Sequence, residues 1–190
     1  MSVNPDNVAT EPIIKIFNTW DELDLMPELL RSVYSYGFEK PSPIQSKGIK
    51  PIIDGFDIIA QAQSGTGKTG CFSIGALSRV NISDNSNQVL IMAPTHELAL
   101  QITTVIRNLS AMMDGIRVKT IIGGSSINSD IAEMRATPPH IIVGCPGRIY
   151  DMIKRRHINS TTLKLVILDE ADEMLSSGFN EQVYDIFQYL

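Results

Sequence analysis

The sequence predicts an α/β fold: a mostly parallel sheet layered between helices on both faces. Two observations carry that prediction. Short apolar runs rich in Val, Ile and Leu recur at 58–62, 89–93, 118–122, 141–144 and 165–169, and longer stretches of helical spacing separate them. Such alternation is the pattern of βαβ units, whose right-handed crossovers bring the carboxyl ends of all strands to one rim. Turns marked by Gly, Pro or Asp follow each run, so their side chains and backbone collect on that rim, where open α/β sheets bind ligands.

Composition bounds the rest. The 190 residues suit one well-buried core and do not leave room for a second complete domain. With 43% hydrophobic and 19% charged residues the chain is an ordinary globular one. A formal charge of -5 excludes a broadly basic surface that holds nucleic acid by charge alone, so any such contact is local. Cys71 and Cys145 are distant, with no Cys-x-x-Cys pair, which argues against a zinc site or a disulfide framework and for a reduced compartment. The polar start lacks a signal core, and no apolar run approaches the ~20 residues that span a bilayer. The reading is of a cytoplasmic protein, with the nucleus as the alternative, and no membrane attachment.

In chain order, residues 1–16 read as a flexible tail. Leu29, Leu30, Val33 and Tyr34 have helical spacing, and Gly37 ends that helix. Ser42 before Pro43 is an N-cap with proline at the first helical position, and Ile44, Ile49 and Ile52 continue one face. Segments 68–80, 95–113, 128–135 and 148–154 are long enough to be crossover helices between the strands. The basic run Lys154-Arg155-Arg156-His157 complements a helix dipole more simply than it grips nucleic acid. His140 belongs at a strand edge. Cys71 is read as a small packed residue, although a nearby helix start is able to lower a thiol pKa.

Two motifs carry chemistry. Ala62-Gln63-Ser64-Gly65-Thr66-Gly67-Lys68-Thr69 stands between the apolar run 58–62 and a helix, the context of a phosphate-binding P-loop. Its glycines admit close approach of backbone N–H groups to phosphates, Lys68 neutralises the β and γ phosphates, and Thr69 offers a hydroxyl to Mg²⁺. Asp169-Glu170-Ala171-Asp172 follows the run 165–168. Asp169 supplies the carboxylate for the metal, and Glu170 positions or deprotonates the attacking water. Asp172 links the site to neighbouring polar groups. A glycine turn and a chance acidic cluster explain either motif alone, but not both together. Their joint presence points to nucleoside triphosphate hydrolysis.

From Trp20 onward the chain resembles the DEAD-box RNA helicase family, built on RecA-like domains, and within it the eukaryotic translation initiation factor 4A branch. The stretch 37–45, Gly-Phe-Glu-Lys-Pro-Ser-Pro-Ile-Gln, looks like that family's Q motif. The resemblance implies that Gln45 reads the adenine edge, for which an amide that donates and accepts is suited, with capping of its own helix as the alternative role, and that Lys40 lies at the nucleotide. Where the family has an aromatic that packs on adenine, this chain has Trp20; Phe17 is a neighbouring competitor, and anchoring the N-terminal segment is the alternative role for Trp20. The implied organisation is a Q-motif segment at 17–45 and a first RecA-like ATP-binding domain at 46–190.

Pro94, Thr95 and His96 resemble the family's motif Ia with His96 in place of Arg, and Cys145-Pro146-Gly147-Arg148 resembles motif Ib with Cys145 in place of Thr. With the pair Gly123-Gly124, these residues imply sequence-independent contacts to an RNA backbone. A mostly neutral imidazole and a weak thiol donor predict a weaker, more pH-dependent grip. His96 as a plain helix-start residue is the alternative. The family's second RecA-like domain and its Ser-Ala-Thr motif have no counterpart in these residues, so the chain reads as a C-terminally incomplete first domain, nearly inactive alone. The implied partners are RNA, the second domain and translation-initiation scaffold proteins. A nonenzymatic ATP-switched binding module, an exon-junction-type clamp and a DNA-directed helicase stay open as alternatives.

Overall fold

At the centre of the computed structural model lies a four-stranded, fully parallel sheet of order β2-β3-β1-β4, formed by β1 (Val89–Met92), β2 (Val118–Ile121), β3 (Ile141–Gly144) and β4 (Leu165–Leu168). The structure describes residues 16–124, 126–176 and 178–190. The tail expected at 1–16 therefore lies outside the described residues except for Ile16.

Strand register is simple: Val89 aligns with Ile141 and Leu165, and Met92 with Gly144 and Leu168. Successive residues of a strand point to opposite faces, so each strand of alternating large aliphatics feeds two cores. Val89, Ile91, Ile141 and Val143 pack with helices α1 (Pro27–Ser35), α2 (Pro43–Asp54), α3 (Lys68–Arg79) and α4 (His96–Leu109). Leu90, Met92 and Ile142 pack on the other face with α5 (Ile127–Ala136), α6 (Pro146–Lys154), α7 (Ala171–Ser176) and α8 (Asn180–Gln188). The result is the expected three-layer arrangement. Burying one such aliphatic side chain contributes about 1.5–3 kcal/mol, so both faces matter to stability.

Local signals place most helix ends. Gly37 (φ 94°) follows α1, Gly55 (φ 87°) caps α2, and Thr95 accepts a bond from Leu98 N–H at 3.2 Å at the start of α4. The Lys154–His157 run does end a helix: Lys154 Nζ lies 5.4 Å from the Tyr150 ring centroid, and Arg155 pairs with Asp151 at 2.7 Å. His140 immediately precedes β3 and is fully buried, its Nδ1 accepting from Arg117 N–H. Burial and the Arg117 charge hold its pKa below the usual imidazole value.

One expected strand is missing. The run 58–62 has no strand structure, Ile58 is 40% exposed and Ile59 is fully exposed. A strand needs a neighbour to satisfy its ladder, and among the described residues no strand of the sheet pairs with this run, β4 pairing with β1 alone. Apolar, β-prone composition did not by itself supply the partner. Cys71 is also corrected in one respect: burial pushes its thiol up to about 12, so the helix start does not activate it.

Candidate functional site

The glycine loop 62–69 leads into α3 without a preceding strand. Gly65 (φ 78°) and Gly67 (φ 101°) adopt left-handed conformations that other residues resist, and Gly67 sits at the N-cap of α3. Thr66 Oγ1 donates to Gln63 O at 2.7 Å, closing the turn. The loop thus delivers Lys68 and Thr69 at the first turn of a twelve-residue helix, where free N–H groups and the dipole favour anions. Ala62 is half-buried, whereas Gln63, Ser64 and Gly65 are exposed.

Across the site, β4 ends and the chain turns sharply at Glu170, whose φ of 51° is unusual for a residue with a Cβ. Asp169 N–H donates to Met92 O at 3.0 Å, which fixes the turn to the sheet. Lys68 Nζ lies 2.9 Å from Glu170 Oε1, joining two motifs that are 102 residues apart. The Glu170 hydrogen bond, with the charges of Glu170, Asp169 and Asp172, raises the Lys68 pKa above the usual lysine value against the effect of burial. Asp169 titrates above the usual carboxylate range, chiefly through burial and then through the Glu170 charge, with Lys68 opposing. Among the described residues, no three His, Cys, Asp or Glu side chains gather to hold a metal by themselves. The donor set is instead one carboxylate beside a phosphate-binding loop, which fits a magnesium ion that phosphates help to hold.

Helix α2 closes one side. Gln45, 2% exposed, accepts from Ser42 N–H at 2.8 Å and donates to Gly67 O at 3.3 Å. An amide nitrogen carries two donors, so one remains beyond the Gly67 bond. A Cβ on Gly67 would lie 2.8 Å from Gln45 Nε2 and 2.9 Å from Ser42 Oγ, so glycine is what permits this approach. Ser42 is the N-cap of α2 and forms a capping box with Gln45.

Of the two roles the sequence left to Trp20, its burial fits the anchoring one. Trp20 is fully buried, donates from Nε1 to Phe38 O at 2.7 Å and stacks on the Phe38 ring with centroids 6.2 Å apart; Phe17 is buried beside it. The ring that comes against the P-loop helix is Phe38, whose Cε2 is 2.8 Å from where a Gly70 Cβ would sit. Lys40 is exposed in the turn before α2. Phe38 was overlooked in the sequence, although its place inside the 37–45 stretch was the available signal.

A second group of residues meets at the neighbouring strand ends. Pro94, His96, Gly123, Cys145, Gly147 and Arg148, with Asp151 and Phe179, line a cleft of about 400 Å³. His96 is exposed at the first position of α4, and its imidazole faces Gly123, where a Cβ would meet Nε2 at 3.2 Å. Thr95 and the left-handed Gly124 (φ 88°) are exposed nearby in sequence, and Pro146 opens α6 as a buried residue. Cys145 is buried, which raises its thiol pKa. Arg148 was expected to be available to a phosphate; its Nη1 is held 3.0 Å from Asp130 Oδ2. Asp130 was not singled out in the sequence, and nothing in its spacing from Arg148 signals the contact. A larger cleft of about 610 Å³ at the edge strand β2 contains none of these motif residues.

Comparison with known proteins finds similarity to helicases. A family model described as DEAD/DEAH box helicase matches residues 42–190. An ATP-dependent RNA helicase eIF4A of Aspergillus niger is 54% identical over 176 residues, which cover 93% of this chain and 44% of that protein. The Eremothecium gossypii protein of the same name is 52% identical over 188 residues, covering 98% and 47%. The chain spans about half the length of the curated relatives it matches. Among solved structures, a DEAD box protein from the hyperthermophile Methanococcus jannaschii aligns with a TM-score of 0.86 at 38% identity, covering 92% of this chain and 47% of that one. S. cerevisiae Dbp5 bound to RNA and ADP BeF3 aligns with a TM-score of 0.80 at 36% identity, covering 90% and 43%.

Proposed function

Because the chain belongs to the DEAD/DEAH box helicase family, we propose that it is the nucleotide-binding half of an ATP-dependent RNA helicase that works in translation initiation in the cytoplasm. The observation that carries the reading is the 2.9 Å contact between Lys68 and Glu170, which assembles the P-loop and the acidic motif into one site. Gly65, Gly67 and the start of α3 receive the phosphates, Lys68 neutralises them, and Gln45 with Phe38 borders the base. Thr69 and Asp169 are the residues that would hold Mg²⁺, which supplies charge neutralisation on the phosphates. Glu170 orients water. The cleft from Pro94 to Arg148 receives the RNA backbone, in keeping with a protein of net charge -5 that needs a local anion site.

The resemblance places further arginines and RNA contacts on a second RecA-like domain, and translation-initiation scaffold proteins are the partners it implies. An arginine supplied from outside is worth about a thousandfold or more in phosphoryl transfer, so turnover by these 190 residues alone is expected to be very slow. Titration with a fluorescent ATP analogue tests the core of the reading. Saturable, Mg²⁺-dependent binding that Lys68→Ala abolishes is expected; equal binding by the variant refutes it. Robust RNA-stimulated ATP turnover by the same chain would overturn the dependence on a second domain.

A further inference from the structure

Behind the cleft assigned to RNA, four charged side chains from three elements stand in series: Glu133 and Asp130 on α5, Lys119 on β2 and Arg148 on α6. Asp130 is 4% exposed. Lys119 Nζ lies 3.1 Å from its Oδ1, and Arg148 Nη1 lies 3.0 Å from its Oδ2. Lys119 Nζ also pairs with the exposed Glu133. A carboxylate so far from water is costly unless it is paired, and one cation would satisfy its charge. Here each oxygen is committed to a cation from a different element, so Asp130 ties β2, α5 and α6 together. That tie also fixes the direction of the guanidinium, whose side chain is 14% exposed and lines the cleft beside Pro94, Gly123 and Gly147.

We propose that Asp130 is a positioning residue for RNA binding, holding Arg148 in the orientation in which its planar, forked donors meet a backbone phosphate. The proposal rests on the RNA reading of the cleft. Asp130 does not touch the phosphate; it removes the ordering that a free arginine would undergo on binding. The sign of its effect separates this role from bulk electrostatics. Asp130 carries a negative charge close to a polyanion site, so simple charge removal tightens binding, whereas loss of positioning weakens it.

Asp130→Asn tests this, because an amide has one acceptor oxygen and serves only one of the two cations. Affinity for a fluorescein-labelled oligouridine is measured by anisotropy across a salt series for the wild-type chain, Asp130→Asn, Asp130→Glu and Arg148→Gln, with thermal unfolding as a control. Expected is a loss of roughly three- to tenfold in Asp130→Asn. Its salt slope should stay near wild type, because Arg148 keeps its charge, and affinity should recover in Asp130→Glu. Arg148→Gln should lose affinity and about one unit of salt slope. Unchanged or tighter binding by Asp130→Asn overturns the positioning role. Unchanged binding by Arg148→Gln instead overturns the RNA reading of the cleft. Should Asp130→Asn fail to fold, side-chain relaxation at Arg148 Nε in the wild-type chain decides: rigidity before RNA is added supports the proposal, and mobility equal to that of the exposed Arg31 refutes it.

Discussion

Replacing Glu170 by Gln is expected to tighten ATP binding. Lys68 Nζ and Glu170 Oε1 are 2.9 Å apart, with side chains 25% and 36% exposed. At that distance the bare attraction is about 6 kcal/mol for an effective dielectric of 20, but desolvation and side-chain ordering offset most of it. Pairs with this degree of solvent access are worth about 0.5–1 kcal/mol net. A nucleotide that recruits Lys68 to its phosphates must break the pair, and it meets the Glu170 charge as well. The amide introduced by Glu170→Gln would keep a neutral acceptor and remove the ionic competitor, a gain of roughly two- to fivefold in affinity. Glutamate and glutamine tolerate the left-handed backbone at this position equally poorly, so the turn is not a confounding change. Titration of a fluorescent ATP analogue at low and moderate salt checks the prediction, and the gain should shrink as salt rises. Weaker or unchanged binding at low salt would show that the pair does not compete with the nucleotide.

Two further outcomes follow from the packing and the titration of the site. A Cβ at Gly48 would lie 2.7 Å from Cys71 Sγ, so Gly48→Ala should cost about 1 kcal/mol, the overpacking outweighing the gain in helix propensity, yet become stabilising in a Cys71→Ala background; urea unfolding of the four-member cycle should show strong coupling, and additivity within about 0.5 kcal/mol would refute the contact. The Asp169 pKa is raised on folding, so its ionisation opposes the fold above that value, and the penalty is relieved as pH falls through the folded pKa towards the unfolded one. Asp169→Asn should therefore unfold at a higher temperature than wild type at about pH 7, with the difference shrinking as the pH approaches about 4, the ordinary aspartate value; a lower midpoint at neutral pH would contradict the burial argument.

Much of the molecule was legible because its signals are local or periodic. The four strands of the sheet coincide with their apolar runs to within one residue, and α3 starts where the glycine loop ends. The failure at 58–62 has the same logic in reverse. Composition reports a preference for extended backbone, while a strand also requires a neighbour, and no strand of the sheet pairs with this run among the described residues. The sequence left Trp20 two roles, a surface for a base or an anchor for the N-terminal segment. Its burial against Phe38 depends on how the N-terminal segment folds over α2 and α3, which sequence spacing does not encode.

The sequence by itself determined the layered α/β architecture, the phosphate loop and the acidic turn, since each depends on residue types at fixed short spacing. Tertiary structure alone decided that Lys68 meets Glu170, that Phe38 comes against the P-loop helix, and that Asp130 sits between Lys119 and Arg148. Those contacts join residues on different elements, and their geometry follows from how the layers pack: a charge left unpaired in the interior is costly, so folding brings distant partners together that no local pattern announces.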